Sequence, residues 1–112
     1  MKEKVVSANE LQFIGEDDEN LYLSGEDTPF TGKVEGFYEN GQKEAEVNYK
    51  DGKKNGIETW WYWNGQKSWE GNLKDGKEDG LFSWWYESGV KEFEGNYKDG
   101  KLMSAEVWKP NG

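Results

Sequence analysis

Three sets of glycines recur every 24 residues without a slip: Gly32, Gly56 and Gly80; Gly41, Gly65 and Gly89; Gly52, Gly76 and Gly100. Among them the turn Lys-Asp-Gly-Lys returns verbatim at 50–53, 74–77 and 98–101. A fixed period of this size means stacked supersecondary units, none of which can bury its apolar face alone. Each unit carries two turn signals, Asn40-Gly41 and Asp51-Gly52 in the first, Asn64-Gly65 and Asp75-Gly76 in the second, Ser88-Gly89 and Asp99-Gly100 in the third. The run between them is rich in aromatic and β-branched residues, as in Ile57-Glu58-Thr59-Trp60-Trp61-Tyr62, so each unit reads as a hairpin. No apolar residues recur with helical spacing over a useful length.

Short consecutive strands joined by tight turns pair antiparallel with their neighbours. The pattern therefore predicts an all-β, elongated, mostly single-layer antiparallel meander of 24-residue hairpin repeats. Its expected divisions are an acidic cap with short strands over 1–29, repeats over 30–53, 54–77 and 78–101, and a partial repeat over 102–112, together one domain. Glu10 to Ile14 and Asn20 to Leu23 read as short strands of the cap, and Ala105 to Lys109 as a last strand without a return partner. Ser104 stands where the repeat glycine would fall.

Composition says what can fill such a sheet. Only 33% of residues are hydrophobic and 33% are charged, which leans toward disorder on aliphatic counting. Yet there are seven Trp, six Tyr and five Phe, and each buried ring removes roughly 150–250 Å² from water. Order is expected, with a core of rings. Strand alternation divides these rings between two faces. The first repeat has Gly36 where the second has Trp60, while Phe37 stands where the second has Trp61. On that ground Phe37, Trp61 and Trp85 are expected in the structural stack, and Trp60 and Trp84 on a surface where a ring is optional.

The net charge is −9, and the acidity belongs to the N-terminus, where residues 1–29 hold two Lys against eight acids. No basic stripe exists to track phosphates, which argues against nucleic acid and anionic membrane surfaces. No stretch approaches the roughly 20 apolar residues of a membrane-spanning helix. Without Cys there are no disulfides or thiolate metal sites. The opening Met1-Lys2-Glu3-Lys4 reads as a trimmed start and favours export over a cytoplasmic location.

Chemistry has few candidates. Lacking His and Cys, the chain has no common general base or zinc ligand. Glu46, Glu70 and Glu94 recur on every second strand, about 9–10 Å apart by strand spacing, near the roughly 6.5–9.5 Å used by inverting glycosidases. Repeated Lys43, Lys67 and Lys91 beside them read more simply as a cross-strand charge ladder. The Asp-Gly turns and Glu16 to Asn20 lack EF-hand spacing. No enzyme, cofactor or metal is expected.

The strings Tyr38-Glu39-Asn40-Gly41-Gln42-Lys43, Trp61-Tyr62-Trp63-Asn64-Gly65-Gln66-Lys67 and Trp85-Tyr86-Glu87-Ser88-Gly89-Val90-Lys91, each followed by Glu-x-Asn-(Tyr/Leu)-Lys-Asp-Gly-Lys, resemble the MORN repeat variant of bacterial proteins. Pro29-Phe30-Thr31-Gly32-Lys33 resembles the start of the first repeat in YwqK-family antitoxins. The resemblance implies a toxin-neutralising or immunity role.

Trp60, Trp63 and Trp84, with Trp69 as a further ring, exceed the needs of a thin sheet, and the first three are the candidate contact residues for a protein partner. The acidic residues Asp17, Asp18 and Glu19 are candidates for steering a basic one, such as a toxin that acts on nucleic acid. A cell-envelope or glycan-binding repeat, in which rings stack on cations or sugars, is the alternative.

Overall fold

The computed structural model describes residues 5–7, 11–14, 20–23 and 25–110. Among them there is no helix, and ten strands form: β1 (Val5–Ser7), β2 (Leu11–Ile14), β3 (Asn20–Leu23), β4 (Gly32–Phe37), β5 (Lys43–Lys50), β6 (Lys53–Trp61), β7 (Lys67–Lys74), β8 (Lys77–Trp85), β9 (Lys91–Lys98) and β10 (Lys101–Val107). From β4 to β10 the strands follow one another as an antiparallel meander in one open sheet. Strands β2 and β3 pair separately as a hairpin. One strand departs from the antiparallel expectation: β1 lies parallel to β4, with Val5 opposite Lys33. The intervening hairpin supplies the long crossover that a parallel neighbour requires. The last strand starts at Lys101, earlier than Ala105, because the Asp99-Gly100 turn feeds straight into it.

The two turns of each unit differ in kind. Asp51, Asp75 and Asp99 have φ of 50° and the glycines after them 83°, the doubled left-handed pair of a type I′ two-residue hairpin, which Asp-Gly suits. In the other turn only the glycine is left-handed, with Gly41 at 89°. There Gly41 N donates to Tyr38 O at 3.0 Å and Tyr38 N to Gln42 O at 2.8 Å, a three-residue loop closed by a glycine bulge. Asn40 Oδ1 accepts from Gln42 N at 3.0 Å, so its role is side-chain capping.

Units lock to one another through repeated bonds. Gly52 N donates to Phe30 O, Gly76 N to Lys54 O and Gly100 N to Glu78 O, at 2.8–2.9 Å. Tyr38 Oη donates to Trp61 O at 2.6 Å, Tyr62 Oη to Trp85 O at 2.5 Å, and Tyr86 Oη to Trp108 O at 2.9 Å.

The last of these bonds spans 22 residues where the others span 23, and the missing residue traces to the register shift between Leu102 and Ser104. In β6 and β8, Gly56 and Gly80 have φ of 106° and 100° inside a wide bulge. Leu73 opposes Glu78 while Gly71 opposes Phe82, four residues on one strand against two on the other. Asn48 Nδ2 and Asn72 Nδ2 donate to carbonyls of the bulged segments. A serine resists that φ, and β10 makes a smaller bulge between Leu102 and Ser104. The strand therefore slips by one residue, and a one-residue slip exchanges faces. Ala105, not Glu106, opposes Gly95, and Trp108 takes the place that Trp61 and Trp85 hold in earlier units.

One face of the sheet is apolar, through Val34, Ala45, Val47, Trp60, Trp69, Leu73, Phe82, Trp84, Phe93 and Tyr97, in cross-strand register. Near its N-terminal end, Leu21 and Phe30 cover Val34, with Leu23 and Tyr49 at the margin. Gly52 lies under this cover, where a Cβ would meet Pro29 at 2.8 Å. The opposite face carries Glu46, Thr59, Glu70, Ser83 and Glu94.

Candidate functional site

The rings of the apolar face form a row across four strands, β6 to β9. Trp60 opposes Trp69, Trp69 opposes Trp84, and Trp84 opposes Phe93. Trp69 stacks between its two neighbours, with centroids 6.4 Å from Trp60 and 5.8 Å from Trp84 at interplanar angles of 17° and 22°. Phe82 lies 5.9 Å from both Trp69 and Trp84, and Phe93 closes the row edge-on to Trp84 at 5.2 Å and 75°. Alternation along each strand brings these positions to one face, and pairing across each turn brings them side by side. Phe82 lies flat over Gly71, where a Cβ would be 2.3 Å from the ring. The glycine makes room for the ring.

The structural stack is therefore Trp60, Trp69, Trp84 and Phe82, not Phe37, Trp61 and Trp85. Phe37 is 52% exposed. Trp61 lies under Lys43 Nζ, 5.9 Å from the ring centroid, and Trp108 under Lys91 Nζ at 5.6 Å. A bulge follows Trp60 and Trp84, and the tandem rings Trp60-Trp61 and Trp84-Trp85 point to opposite sides. Gly36 in place of a first-unit Trp marks where the row ends, which is a different matter from a ring being optional.

Glu58 is buried, at 2% exposure, where the next unit has Phe82. Trp60 Nε1 donates to its Oε2 at 2.7 Å. Lys54 Nζ lies 3.3 Å from that oxygen and 3.2 Å from Oε1, the latter an ion-pair distance without hydrogen-bond alignment. Its site is compensated as a buried charge requires. Tyr49 packs nearby, and its hydroxyl pKa is raised, chiefly by burial and secondarily by the Glu58 charge.

On the polar face Lys43, Lys67 and Lys91 pair with Glu46, Glu70 and Glu94 at 2.8, 3.0 and 2.6 Å. Thr59 Oγ1 donates to Glu70 at 2.8 Å and Ser83 Oγ to Glu94 at 3.4 Å. The Lys43 bond holds the Glu46 pKa below the usual carboxylate range, and the Lys91 bond does the same for Glu94. A glycosidase acid needs the reverse shift. This geometry is that of the charge ladder. Among the described residues no group of three or more acids converges as a metal site, and no helix is long and apolar enough to cross a membrane.

Of the sequence candidates, Trp60 and Trp84 fall in one row. Trp63 is apart from them, 56% exposed in a turn and edge-on to Tyr38 at 5.4 Å. Asp17, Asp18 and Glu19 lie outside the described residues. Sequence reasoning raised Trp69 only as a further excess ring, without placing it beside Trp60, and missed Phe93 and Tyr97 as members of the same surface. The signal was available: counting outward from the Trp63–Gly65 turn places Trp69 opposite Trp60.

An open cleft of about 320 Å³ lies at the C-terminal end of the row, lined by Trp84, Glu92, Phe93 and Tyr97. Beyond it β10 is exposed along its whole length, with Met103 at 65% and Val107 at 75%. Compared with known proteins, residues 30–51 and 78–99 match the MORN repeat variant family. No curated protein and no solved structure matches the chain. The intervening unit repeats the same turns and register, so the similarity to MORN repeat variants lies in a unit used three times.

Proposed function

We propose that this chain is a non-catalytic protein-binding repeat module whose contact surface is the ring row of the apolar face. The observation that carries this reading is the row itself, partly exposed from Trp60 to Phe93 and extending well past the Leu21 and Phe30 cover. Rigid, half-exposed Trp and Tyr are what protein interfaces concentrate at their centres. The match to MORN repeat variants supports an interaction role. A basic partner, and within that class a toxin to be neutralised, is the finer part of the proposal, motivated by the charge of −9 and by the sequence reading of Pro29 to Lys33 as similar to YwqK-family antitoxins. Sugar recognition needs open ring faces, whereas Trp69 has a ring stacked toward each side, which favours the protein partner over a glycan.

The test is binding kinetics against a candidate basic toxin, at two salt concentrations. Replacing Asp17, Asp18 and Glu19 by Ser should slow association and flatten its salt dependence, because distant charge acts on encounter. Trp60→Phe with Trp84→Phe, which keeps rings in the row, should speed dissociation. Binding instead to a cell-wall polysaccharide fraction, independent of salt and of the acidic residues, would replace the protein reading with the glycan one.

A further inference from the structure

At its first Asp-Gly turn the chain shows how an extended segment docks on this sheet. Leu21 of β3 makes two backbone bonds there: its N–H donates to Gly52 O at 2.8 Å, and its C=O accepts from Phe30 N at 2.7 Å. Gly52 N closes the ring by donating to Phe30 O at 2.8 Å. The Leu21 side chain is buried beside Phe30 and Val34, with Tyr49 at the margin. One extended residue is thus held at the turn by a donor, an acceptor and an apolar seat.

The later units repeat one bond of that ring, from Gly76 N to Lys54 O and from Gly100 N to Glu78 O, both at 2.9 Å. Among the described residues no backbone N–H reaches Gly76 O or Gly100 O. Lys74 and Lys77 close the two-residue turn before Glu78. In an antiparallel ladder the next pair is not hydrogen-bonded, so Glu78 turns its N–H away from Leu73, to the side on which its C=O meets Gly100. Lys54, opposite Tyr49, is set the same way. A Cβ on Gly52 would meet Leu21 N at 3.1 Å, one on Gly76 nothing within 4 Å, and one on Gly100 only Glu78 Oε1 and Lys77 Cβ at 3.8 and 3.9 Å. Both later turns therefore present the donor and acceptor that Leu21 uses at the first.

Their seats differ. In the second unit the positions of Phe30 and Val34 hold Lys54 and Glu58, an ion pair at 3.2 Å. In the third they hold Glu78 and Phe82, with Tyr97 for Tyr49 in the same register, since Gly80 opposes Tyr97 as Gly32 opposes Tyr49. Tyr97 meets Phe82 edge-on at 5.2 Å and borders the open cleft with Trp84 and Phe93. Of the two turns, the third-unit one joins these backbone groups to an open apolar seat.

We propose that the Asp99-Gly100 turn receives an extended segment of the protein partner, one residue of which bonds to Gly100 O and Glu78 N as Leu21 bonds to Gly52 O and Phe30 N, with its apolar side chain in the cleft beside Tyr97. The proposal rests on the protein-binding reading above. Glu78 stands where the first seat has Phe30, so the apolar residue of the incoming segment has a lysine or arginine beside it, as a basic partner supplies.

The test uses the intact chain, ¹⁵N NMR and the peptide Ac-Lys-Asn-Leu-Tyr-Leu-Lys-NH2, which copies Asn20 to Leu23 between lysines. A second peptide is N-methylated at its first leucine, removing the N–H that Gly100 O accepts. The expected result is saturable shifts at Glu78, Tyr97 and Gly100 that spare Gly52 and Gly76, with binding weakened at least about fivefold by the N-methyl group, the scale of one lost backbone bond. Glu78→Lys, which copies Lys54, should also weaken binding, and its amide spectrum confirms that it is folded. Equal binding of the two peptides would make the contact merely apolar and overturn the backbone docking, as would no saturable shift with either. The same shifts on concentrating the chain alone would assign the turn to a second copy and overturn the partner assignment. A further arm adds the basic partner to the peptide complex. Displacement of the peptide supports the assignment. Partner and peptide bound together would overturn the partner as the source of the segment while leaving the protein-binding reading to its own kinetics.

Discussion

Gly71 and Gly36 are both strand glycines of ordinary φ, yet they predict opposite outcomes. A Cβ on Gly71 would stand 2.3 Å from the Phe82 ring, while one on Gly36 would meet nothing within 4 Å. Gly71→Ala should therefore destabilise by about 1–3 kcal/mol, as overpacking does. Gly36→Ala should be neutral or stabilise by up to about 1 kcal/mol through the unfolded chain. Urea midpoints of the two variants check this, and similar midpoints would contradict the flat placement of Phe82. The pair is not legible in sequence, because glycine in a strand signals either a bulge or a close approach and only the facing residue decides. A second residue-scale expectation concerns acid. The Glu46 pKa is lowered by the hydrogen bond from Lys43, so its contribution is complete above the ordinary glutamate range and is lost as pH falls through the lower, folded value. Glu46→Gln should lower the melting temperature at pH 7 and leave it nearly unchanged at about pH 2, where the wild-type carboxyl is protonated as well. Half-exposure of the pair keeps the difference at neutral pH small.

At the scale of strands, turn chemistry and period were fully legible. The Asp-Gly pairs force type I′ geometry, and the 24-residue period fixes which strand neighbours which. Face assignment was not legible, because tandem rings such as Trp60-Trp61 satisfy either alternation and a bulge follows each first Trp. Nor does a glycine-to-serine change at 104 reveal by itself that a strand will slip. The slip has two causes that can be separated. Ser104 opposes the left-handed bulge, and Glu106 would face the rings in the unslipped register, with Leu102 where Lys54 pairs Glu58. Ser104→Gly alone should keep Ala105 opposite Gly95. Ser104→Gly with Glu106→Phe should move β10 by one residue, giving cross-strand NOEs from residue 106 to Gly95 and releasing the Tyr86 hydroxyl from Trp108 O. If the single change moves the strand, backbone strain at Ser104 is sufficient. If the double change does not, neither cause is the right one.

Over the whole molecule, the rings do two jobs at once, closing a sheet and facing outward. Trp69 is central to the row, and Trp69→Ala should cost about 3 kcal/mol by leaving a gap between two stacked rings. Trp63→Ala, at an exposed turn, should cost under about 1 kcal/mol. Thermal melts of the two check the division. The sequence showed the aromatic excess and the acidity on which the proposed function rests, but not the surface that gathers those rings, since three of its members come from return strands whose pairing had not been counted across the turns. The most direct measurement of the central claim uses 5-fluorotryptophan incorporated at all seven Trp positions and a ¹⁹F spectrum before and after the basic partner is added. The account predicts that Trp60, Trp69 and Trp84 shift or broaden, with Trp84 most affected, while Trp61, Trp85 and Trp108 on the lysine-bearing face stay in place. Perturbation confined to Trp61, Trp85 and Trp108 would contradict it, placing the partner on the charge ladder and leaving the ring row as core alone.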